Sequence, residues 1–297
     1  MPRVKGVIKR KSKNTKEKNR LRIASANTAR RVFQRERIGS LKQAIKYGDG
    51  FFVIKLPQGK KLNNNSIDNA STVVLDAGHS IFNDVMIPTE LPSVEYQRLS
   101  VSGAGNLVDK LCKSRSRFKP KFSAILKYVN DIVVEAFPRL RRGEESLILT
   151  QQHTPEQHIH IDIPYDSKYQ EFLANALVDP TVDVPVSILV ATQEGSSILL
   201  WPHGWAELPG LHKDGECKHI QCIEVVIPAN SVLVFRADLP HAGASGGGDD
   251  GSPGGNLRFH VFYEPTSGFE RELNTTGDLE EVNGLYRKFF RELGSYS

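Results

Sequence analysis

The stretch "QHIHID", residues 157–162, puts His158, His160 and Asp162 at every second position. Along a β-strand, successive side chains point to opposite faces of the sheet, so these three polar side chains are expected to share one face. The isoleucines between them would share the other. Imidazole nitrogens and a carboxylate are suitable ligands for a divalent transition metal. We therefore predict that this strand contributes part of a metal site.

A second segment supplies the remaining ligand. In "SVLVFRADLPHAG", residues 231–243, an apolar strand runs into a short proline-containing turn that presents His241. His160 and Asp162 can bind only one side of a metal, so a third ligand has to come from elsewhere in the chain. Two histidines and one carboxylate leave the other positions of an iron ion open, as in the non-haem Fe(II) oxygenases. A set of His158, His160 and His241, without Asp162, is the alternative.

The C-terminal half of the chain contains short runs rich in β-branched and aromatic residues, separated by turn residues. From Ser146 onward these runs are "SLILTQQ", "HIHIDI", "VSILVAT", "SSILLW", "IEVVIP", "SVLVF" and "LRFHVFYE". Strands in series of this kind are typical of antiparallel sandwiches and barrels. The expected fold class is mainly β with flanking helices, in which the strands form a jelly roll.

Helices are predicted on both sides of this β-rich region. Apolar residues follow a helical stripe over residues 122–136, with Pro120 in the first turn and Pro138 beyond the end. A C-terminal amphipathic helix is predicted over about residues 279–293. Ahead of both, "LKQAIKYGDGFFVIKLP", residues 41–57, is expected to form a short helix, a glycine turn and a buried strand.

Basic and acidic residues are distributed unevenly. Residues 1–37 contain 14 Lys and Arg against 2 Asp and Glu, whereas residues 143–297 contain 9 against 23. Clustered basic residues with few large apolar ones favour a solvated, flexible segment. We therefore divide the chain into a basic flexible tail, residues 1–38, and one domain, residues 39–297. The tail is expected to be a localisation signal or to contact the phosphates of a nucleic acid.

Nothing in the sequence indicates secretion or membrane insertion. No run approaches the roughly 18 uninterrupted apolar residues that a membrane helix needs. Three cysteines are a sparse and odd set for a disulfide framework. We expect an intracellular protein, nuclear or cytoplasmic, without membrane contact. Zinc ligands are clustered in one segment, but their spacing is not that of a zinc finger and indicates a hairpin tip: His212, Cys217, His219 and Cys222.

The order of three motifs, His-x-Asp, then "VLVFRADLPHAG", then "LRFHVFYEP", resembles the Fe(II)- and 2-oxoglutarate-dependent dioxygenase superfamily, including its phytanoyl-CoA hydroxylase-like and prolyl hydroxylase-like members. The resemblance covers roughly residues 145–265. It implies a double-stranded β-helix in which His160, Asp162 and His241 bind Fe(II) and Arg258 binds the distal carboxylate of 2-oxoglutarate. The implied reaction uses dioxygen to hydroxylate a substrate and releases succinate and carbon dioxide.

The sequence departs from this family pattern near the arginine. A glycine-rich connection, "GASGGGDDGSPGGN", separates His241 from Arg258, and His260 stands where some members have a serine that assists the arginine. His260 is therefore a second candidate for binding 2-oxoglutarate.

Two other functions stay open on the sequence alone. The "HIH" segment and the later His241 also resemble the metal-binding segments of cupins, which are jelly rolls that do not use 2-oxoglutarate. A non-catalytic module that binds nucleic acid is the other alternative. The primary substrate is not indicated by any motif.

Overall fold

The structure is a computed structural model that describes residues 38–58, 68, 70–71, 74–75, 79–80, 98–102, 119–151, 154, 157, 159–163, 167–179, 181–207, 221–244 and 256–266. Several sequence predictions fall outside these residues: the basic tail, the C-terminal helix at 279–293, His158, and most of the proposed hairpin tip with His212, Cys217 and His219. Cys222 is described and is partly buried.

The strands form two antiparallel sheets. The larger sheet has seven strands in the spatial order β1 (Phe51–Lys55), β8 (Ser231–Arg236), β5 (Val186–Ala191), β10 (Asn256–Pro265), β4 (Leu140–Thr150), β3 (Arg98–Ser102) and β2 (His79–Ser80). The smaller sheet has the order β7 (Ile223–Ile227), β6 (Ser196–Leu200) and β9 (His241–Gly243).

The chain passes repeatedly from one sheet to the other. It leaves β5 of the larger sheet for β6 of the smaller one, returns from β7 to β8, and crosses again from β8 to β9. Two sheets linked by such alternating antiparallel strands make a jelly roll. The predicted fold class, a double-stranded β-helix flanked by helices, is confirmed.

Helices pack against the outer face of the larger sheet. They include α1 (residues 38–47), α2 (Lys119–Ala136) and α3 (Ser167–Val178). A short 3₁₀ helix at Gly204–Glu207 packs instead against a second, smaller core. The predicted stripe helix is confirmed as α2, whose buried residues include Ile125, Val129 and Val133. No helix in the described part of the chain is both long and apolar enough to span a membrane.

Alternate residues of the central strands bury two separate cores. On β10, Leu257, Phe259 and Val261 belong to the large outer core that the helices cover. A smaller inner core between the sheets contains Leu233 and Phe235 of β8. Because side chains alternate along a strand, Arg258 and His260 of β10 point away from the outer core and into the jelly roll.

The segment at residues 41–57 was predicted correctly except for the burial of its strand. The helix and turn are present, and Gly50 adopts a φ of 87° that favours glycine. The strand, β1, is an edge strand of the larger sheet, and Val53 is 36% exposed while Ile54 is buried. Among the described strands only β8 pairs with it, so the expectation of a buried strand was wrong.

Candidate metal centre

The segment with the first two predicted ligands is not a regular strand. His160 makes a single antiparallel bridge with His241, in which each backbone N–H donates to the carbonyl of the other at 2.9 Å. The chain then bends, and the Asp162 N–H donates to the Ala237 carbonyl at 2.8 Å. The predicted strand alternation therefore does not apply beyond His160. The chain leaves the sheet after one pair so that Asp162 reaches the turn between β8 and β9.

The three predicted ligands lie together. The coordinating atoms of His160, Asp162 and His241 all lie within 4.8 Å of one another. His241 Nε2 is 3.5 Å from Asp162 Oδ1, and their side chains are only 5% and 8% exposed. The imidazole rings of His160 and His241 are 4.3 Å apart between centroids. Backbone hydrogen bonds thus bring the ligand atoms of His160, Asp162 and His241 together, although His241 is far from the other two in sequence.

The orientation of His241 leaves one of its nitrogens for a metal. Its Nδ1 lies 2.9 Å from the Leu239 carbonyl oxygen, which can only accept a hydrogen bond, so Nδ1 carries the proton. Nε2 then presents its lone pair towards Asp162. Phe235 packs edge-on against the ring at 4.9 Å between centroids. A hydrogen bond from the second imidazole nitrogen is the usual way in which proteins orient a metal-binding histidine.

The carboxylate of Asp162 is stabilised as an anion despite its burial. Burial by itself would raise the pKa of Asp162, but the adjacent His241 and His260 hold it well below the usual value. Conversely, burial would lower the pKa of His241, and the charge of Asp162 raises it above the usual value. Asp162 is therefore a negatively charged ligand at neutral pH.

The polar atoms of the site fit a divalent cation. Within the described residues, Asp162 Oδ2 and His260 Nε2 are buried without a hydrogen-bond partner. An unsatisfied buried polar atom costs roughly 1–3 kcal/mol, so a bound group or a rearrangement that satisfies these atoms would be favoured. Two imidazoles and one carboxylate, with no thiolate in the set, match the ligand preference of non-haem Fe(II). The residues therefore fit the iron ion that the sequence resemblance implies.

Arg258 lies buried on the inner face of β10 with an incomplete set of partners. Its Nη1 donates to the Ser197 carbonyl at 3.2 Å and its Nη2 to Thr150 Oγ1 at 2.9 Å. Nε has no partner among the described residues. Burial lowers the pKa of Arg258 to about 10, so the guanidinium remains charged at neutral pH. A buried cation without a carboxylate partner among the described residues is a suitable site for an anionic ligand.

His260 faces the proposed metal ligand Asp162. Its Nε2 is 3.6 Å from Asp162 Oδ2, and its ring packs against Phe262 at 4.2 Å between centroids. The sequence made His260 a second candidate for binding 2-oxoglutarate, and that stays a prediction. In the structure its ring nitrogen is directed at the carboxylate of Asp162.

Sequence reasoning missed the ion pair that braces the turn between β8 and β9. Arg236 donates to both oxygens of Asp238, each at 2.8 Å, and Tyr169 Oη donates to Asp238 at 3.1 Å. The Trp205 ring stacks over the guanidinium at 3.7 Å. This turn carries the two carbonyls that accept from Asp162 and His241. The Arg-x-Asp spacing just before the Pro-His pair was the available signal.

Two histidines and one carboxylate form the ligand set that non-haem Fe(II) oxygenases use. The sequence matches no protein-family model and no curated protein. Solved structures do match the fold. The non-haem α-ketoglutarate-dependent carbocyclase SnoK from nogalamycin biosynthesis aligns with a TM-score of 0.50 at 12% identity, over 82% of this chain and 90% of its own.

AviO1 from Streptomyces viridochromogenes Tue57 aligns with a TM-score of 0.49 at 12% identity, over 79% of this chain and 97% of its own. Because the sequence identity to SnoK is only 12%, this similarity shows the fold alone. The chain therefore shares the fold of SnoK, which agrees with the double-stranded β-helix predicted from the sequence.

Proposed function

We propose that this protein is an Fe(II)- and 2-oxoglutarate-dependent oxygenase. His160, Asp162 and His241 would hold the iron, and Arg258 would hold the distal carboxylate of 2-oxoglutarate. The observation that carries the proposal is the convergence of the three ligand atoms within 4.8 Å inside the jelly roll. Each ligand comes from a segment that the backbone hydrogen bonds of this fold bring to the same place.

The charges of the proposed ligands suit an anionic co-substrate. Neutral imidazoles from His160 and His241 leave the charge of a divalent cation unchanged, and Asp162 contributes one negative charge. The site would then retain one positive charge, which attracts the carboxylate and keto oxygens of 2-oxoglutarate. Three protein ligands would leave other positions of the ion available to the co-substrate.

Arg258 would fix the far end of the co-substrate. Hydrogen bonds to Thr150 and Ser197 hold the guanidinium in place, while Nε is free to donate to a carboxylate. A planar guanidinium pairs with a carboxylate through two parallel hydrogen bonds, which a lysine cannot reproduce. The low exposure of Arg258, 5%, strengthens this pairing because water competes poorly there.

When bound, Fe(II) and 2-oxoglutarate supply the oxidation: dioxygen converts 2-oxoglutarate to succinate and carbon dioxide, and one oxygen atom hydroxylates a C–H bond of the substrate. The residues described above bind and orient these groups.

The proposal is tested by an anaerobic titration of the purified apo-protein with Fe(II) and then 2-oxoglutarate. We expect the weak visible charge-transfer band of a chelated 2-oxoglutarate in the wild-type protein. Asp162→Ala should abolish it, and Arg258→Ala should require a much higher 2-oxoglutarate concentration. Two exposed residues provide matched controls, since Asp131→Ala and Arg141→Ala should leave the titration unchanged.

The outcomes separate the alternatives. Iron binding without a band would favour the cupin-like site that does not use 2-oxoglutarate. A band that persists in Asp162→Ala would contradict the assignment of this carboxylate as a ligand. A wild-type protein that binds no metal would overturn the proposed function altogether.

We also propose an intracellular location, nuclear or cytoplasmic. The small number of cysteines and the requirement for Fe(II), which a reducing compartment maintains, support it. Imaging of a fluorescent fusion protein tests this location, and a secreted fusion would contradict it.

A further inference from the structure

His260 and Asp162 leave a matched pair of polar atoms unsatisfied. Nε2 of His260 and Oδ2 of Asp162 are both buried, and neither makes a hydrogen bond within the described part of the chain. They lie 3.6 Å apart, slightly too far for a hydrogen bond. A small rotation of either side chain would bring the imidazole N–H into contact with the carboxylate oxygen.

We infer that His260 is a positioning residue that donates its Nε2–H to Asp162 Oδ2 and thereby presents Oδ1 to the metal. The inference rests on the proposed function, since it concerns how the metal ligand is held. It gives His260 a role in the metal centre, different from the binding of 2-oxoglutarate that the sequence suggested.

The carboxylate of Asp162 lies between two imidazoles, one for each oxygen. Oδ1 is 3.5 Å from His241 Nε2, and Oδ2 is 3.6 Å from His260 Nε2. A donor on Oδ2 keeps the carboxylate from turning to bind the metal through both oxygens. Binding through one oxygen leaves an additional position on the metal for the co-substrate.

The strand that carries His260 is well placed to fix the imidazole. β10 pairs with β4 on one side and with β5 on the other, so His260 lies opposite both Ser146 and Leu189. Phe262 packs against the ring, and His260 is only 8% exposed. A side chain fixed in this way can orient the carboxylate with little loss of conformational entropy.

A role for His260 as a fourth protein ligand fits the proposed chemistry poorly. Three protein ligands would leave an iron ion with positions for both 2-oxoglutarate and dioxygen, which the proposed reaction needs. A fourth protein ligand would take the position that dioxygen needs. The donor role keeps that position open, so it is the one we assign.

The test compares variants at position 260 by their affinity for Co(II) in the absence of 2-oxoglutarate. His260→Leu removes the donor but keeps an apolar side chain of similar reach, whereas the amide of His260→Gln can still donate near the position of Nε2. Loss of a hydrogen-bond partner of a metal ligand usually weakens metal binding about 10–100-fold. We expect that loss for His260→Leu and a change of less than about threefold for His260→Gln.

Two controls exclude a general effect on the fold. Ser187→Ala removes a buried hydroxyl of the same sheet that has no partner among the described residues, and it should leave the Co(II) affinity unchanged. Thermal unfolding of each apo-variant measures whether the variant keeps the fold. If His260→Leu does not fold, His260→Asn replaces it, since its shorter amide does not reach Oδ2.

Paramagnetic NMR of the Co(II)-loaded protein counts the histidines on the metal through their shifted ring N–H signals. We expect two such signals in the wild-type protein and in His260→Leu. Three signals in the wild type would overturn the donor role in favour of a fourth ligand. Equal Co(II) affinity in the wild type and His260→Leu would overturn any role of His260 at the metal.

Failure of the proposed function gives a different result from failure of this inference. A wild-type protein without Co(II) affinity refutes both. A wild-type protein that binds Co(II) but is unaffected by 2-oxoglutarate refutes the proposed oxygenase, while the comparison of the position-260 variants still decides the role of His260.

Discussion

Replacing Asp238 with alanine tests whether the ion pair behind the metal site determines the stability of the fold. The side chains of Arg236 and Asp238 are 1% and 0% exposed, and two hydrogen bonds of 2.8 Å join them. Asp238→Ala leaves a buried guanidinium without its counter-ion and Tyr169 Oη without its acceptor. Removing one partner of a buried pair costs about 3–5 kcal/mol. Domains unfold with a free energy of only about 5–15 kcal/mol, so this loss should be large.

An exposed pair on α2 provides the matched comparison. Lys127 and Asp131 are 76% and 51% exposed and lie 3.2 Å apart, four residues from each other on the helix. Such a pair contributes about 0.3–0.5 kcal/mol, because water and salt screen it. Asp131→Ala should therefore change the free energy of unfolding by about a tenth as much as Asp238→Ala.

Equilibrium unfolding in urea measures both losses. The two tryptophans of the chain, Trp201 and Trp205, are both buried, and Trp205 stacks on Arg236, so their fluorescence reports on this region. The variant Arg236→Met/Asp238→Leu should recover most of the stability, since it removes both charges together. A loss below about 1 kcal/mol for Asp238→Ala would refute the reasoning. A loss equal to that of Asp131→Ala would do so as well.

Two further predictions concern regions away from the metal. Gly50→Ala should lower the free energy of unfolding by about 1–2 kcal/mol, because φ is 87° and the new Cβ would lie 3.1 Å from the Trp205 ring. Urea unfolding measures this loss, and an unchanged midpoint would contradict the prediction. We also propose that residues 1–37 bind nucleic acid: the affinity for a short duplex should fall steeply with salt and be lost on their deletion, whereas an equal affinity without them would argue against the proposal.

The candidate ligands could be picked out from the sequence because their chemistry is local. His160 and Asp162 are close in sequence, His241 follows a recognisable strand and turn, and Arg258 lies in an apolar strand where a charge is unusual. The helical stripe of α2 was equally clear. In each case a few neighbouring residues contain the whole signal.

Other features depended on contacts that a sequence pattern does not contain. The segment around His160 reads as a strand, yet among its described residues His160 alone forms a bridge, and the Asp162 N–H bonds to the Ala237 carbonyl instead of continuing the pairing. Alternation along β10 predicts that His260 lies on the inner face, but it does not predict that the side chain of Asp162 lies next to it. The partner of Asp238 on α3, Tyr169, comes from a distant part of the chain.

The bridge between His160 and His241 has a consequence for the lifetime of the protein. A metal bound there would add a link between two segments that backbone hydrogen bonds already join at Gln157, His160 and Asp162. A ligand that binds only the folded state raises the free energy of unfolding by about 2.7 kcal/mol when its free concentration is a hundred times its Kd. Bound iron would therefore stabilise the folded protein. Cells short of iron would then lose the protein itself as well as its activity, and pulse-chase measurements of its half-life with and without an iron chelator would detect this.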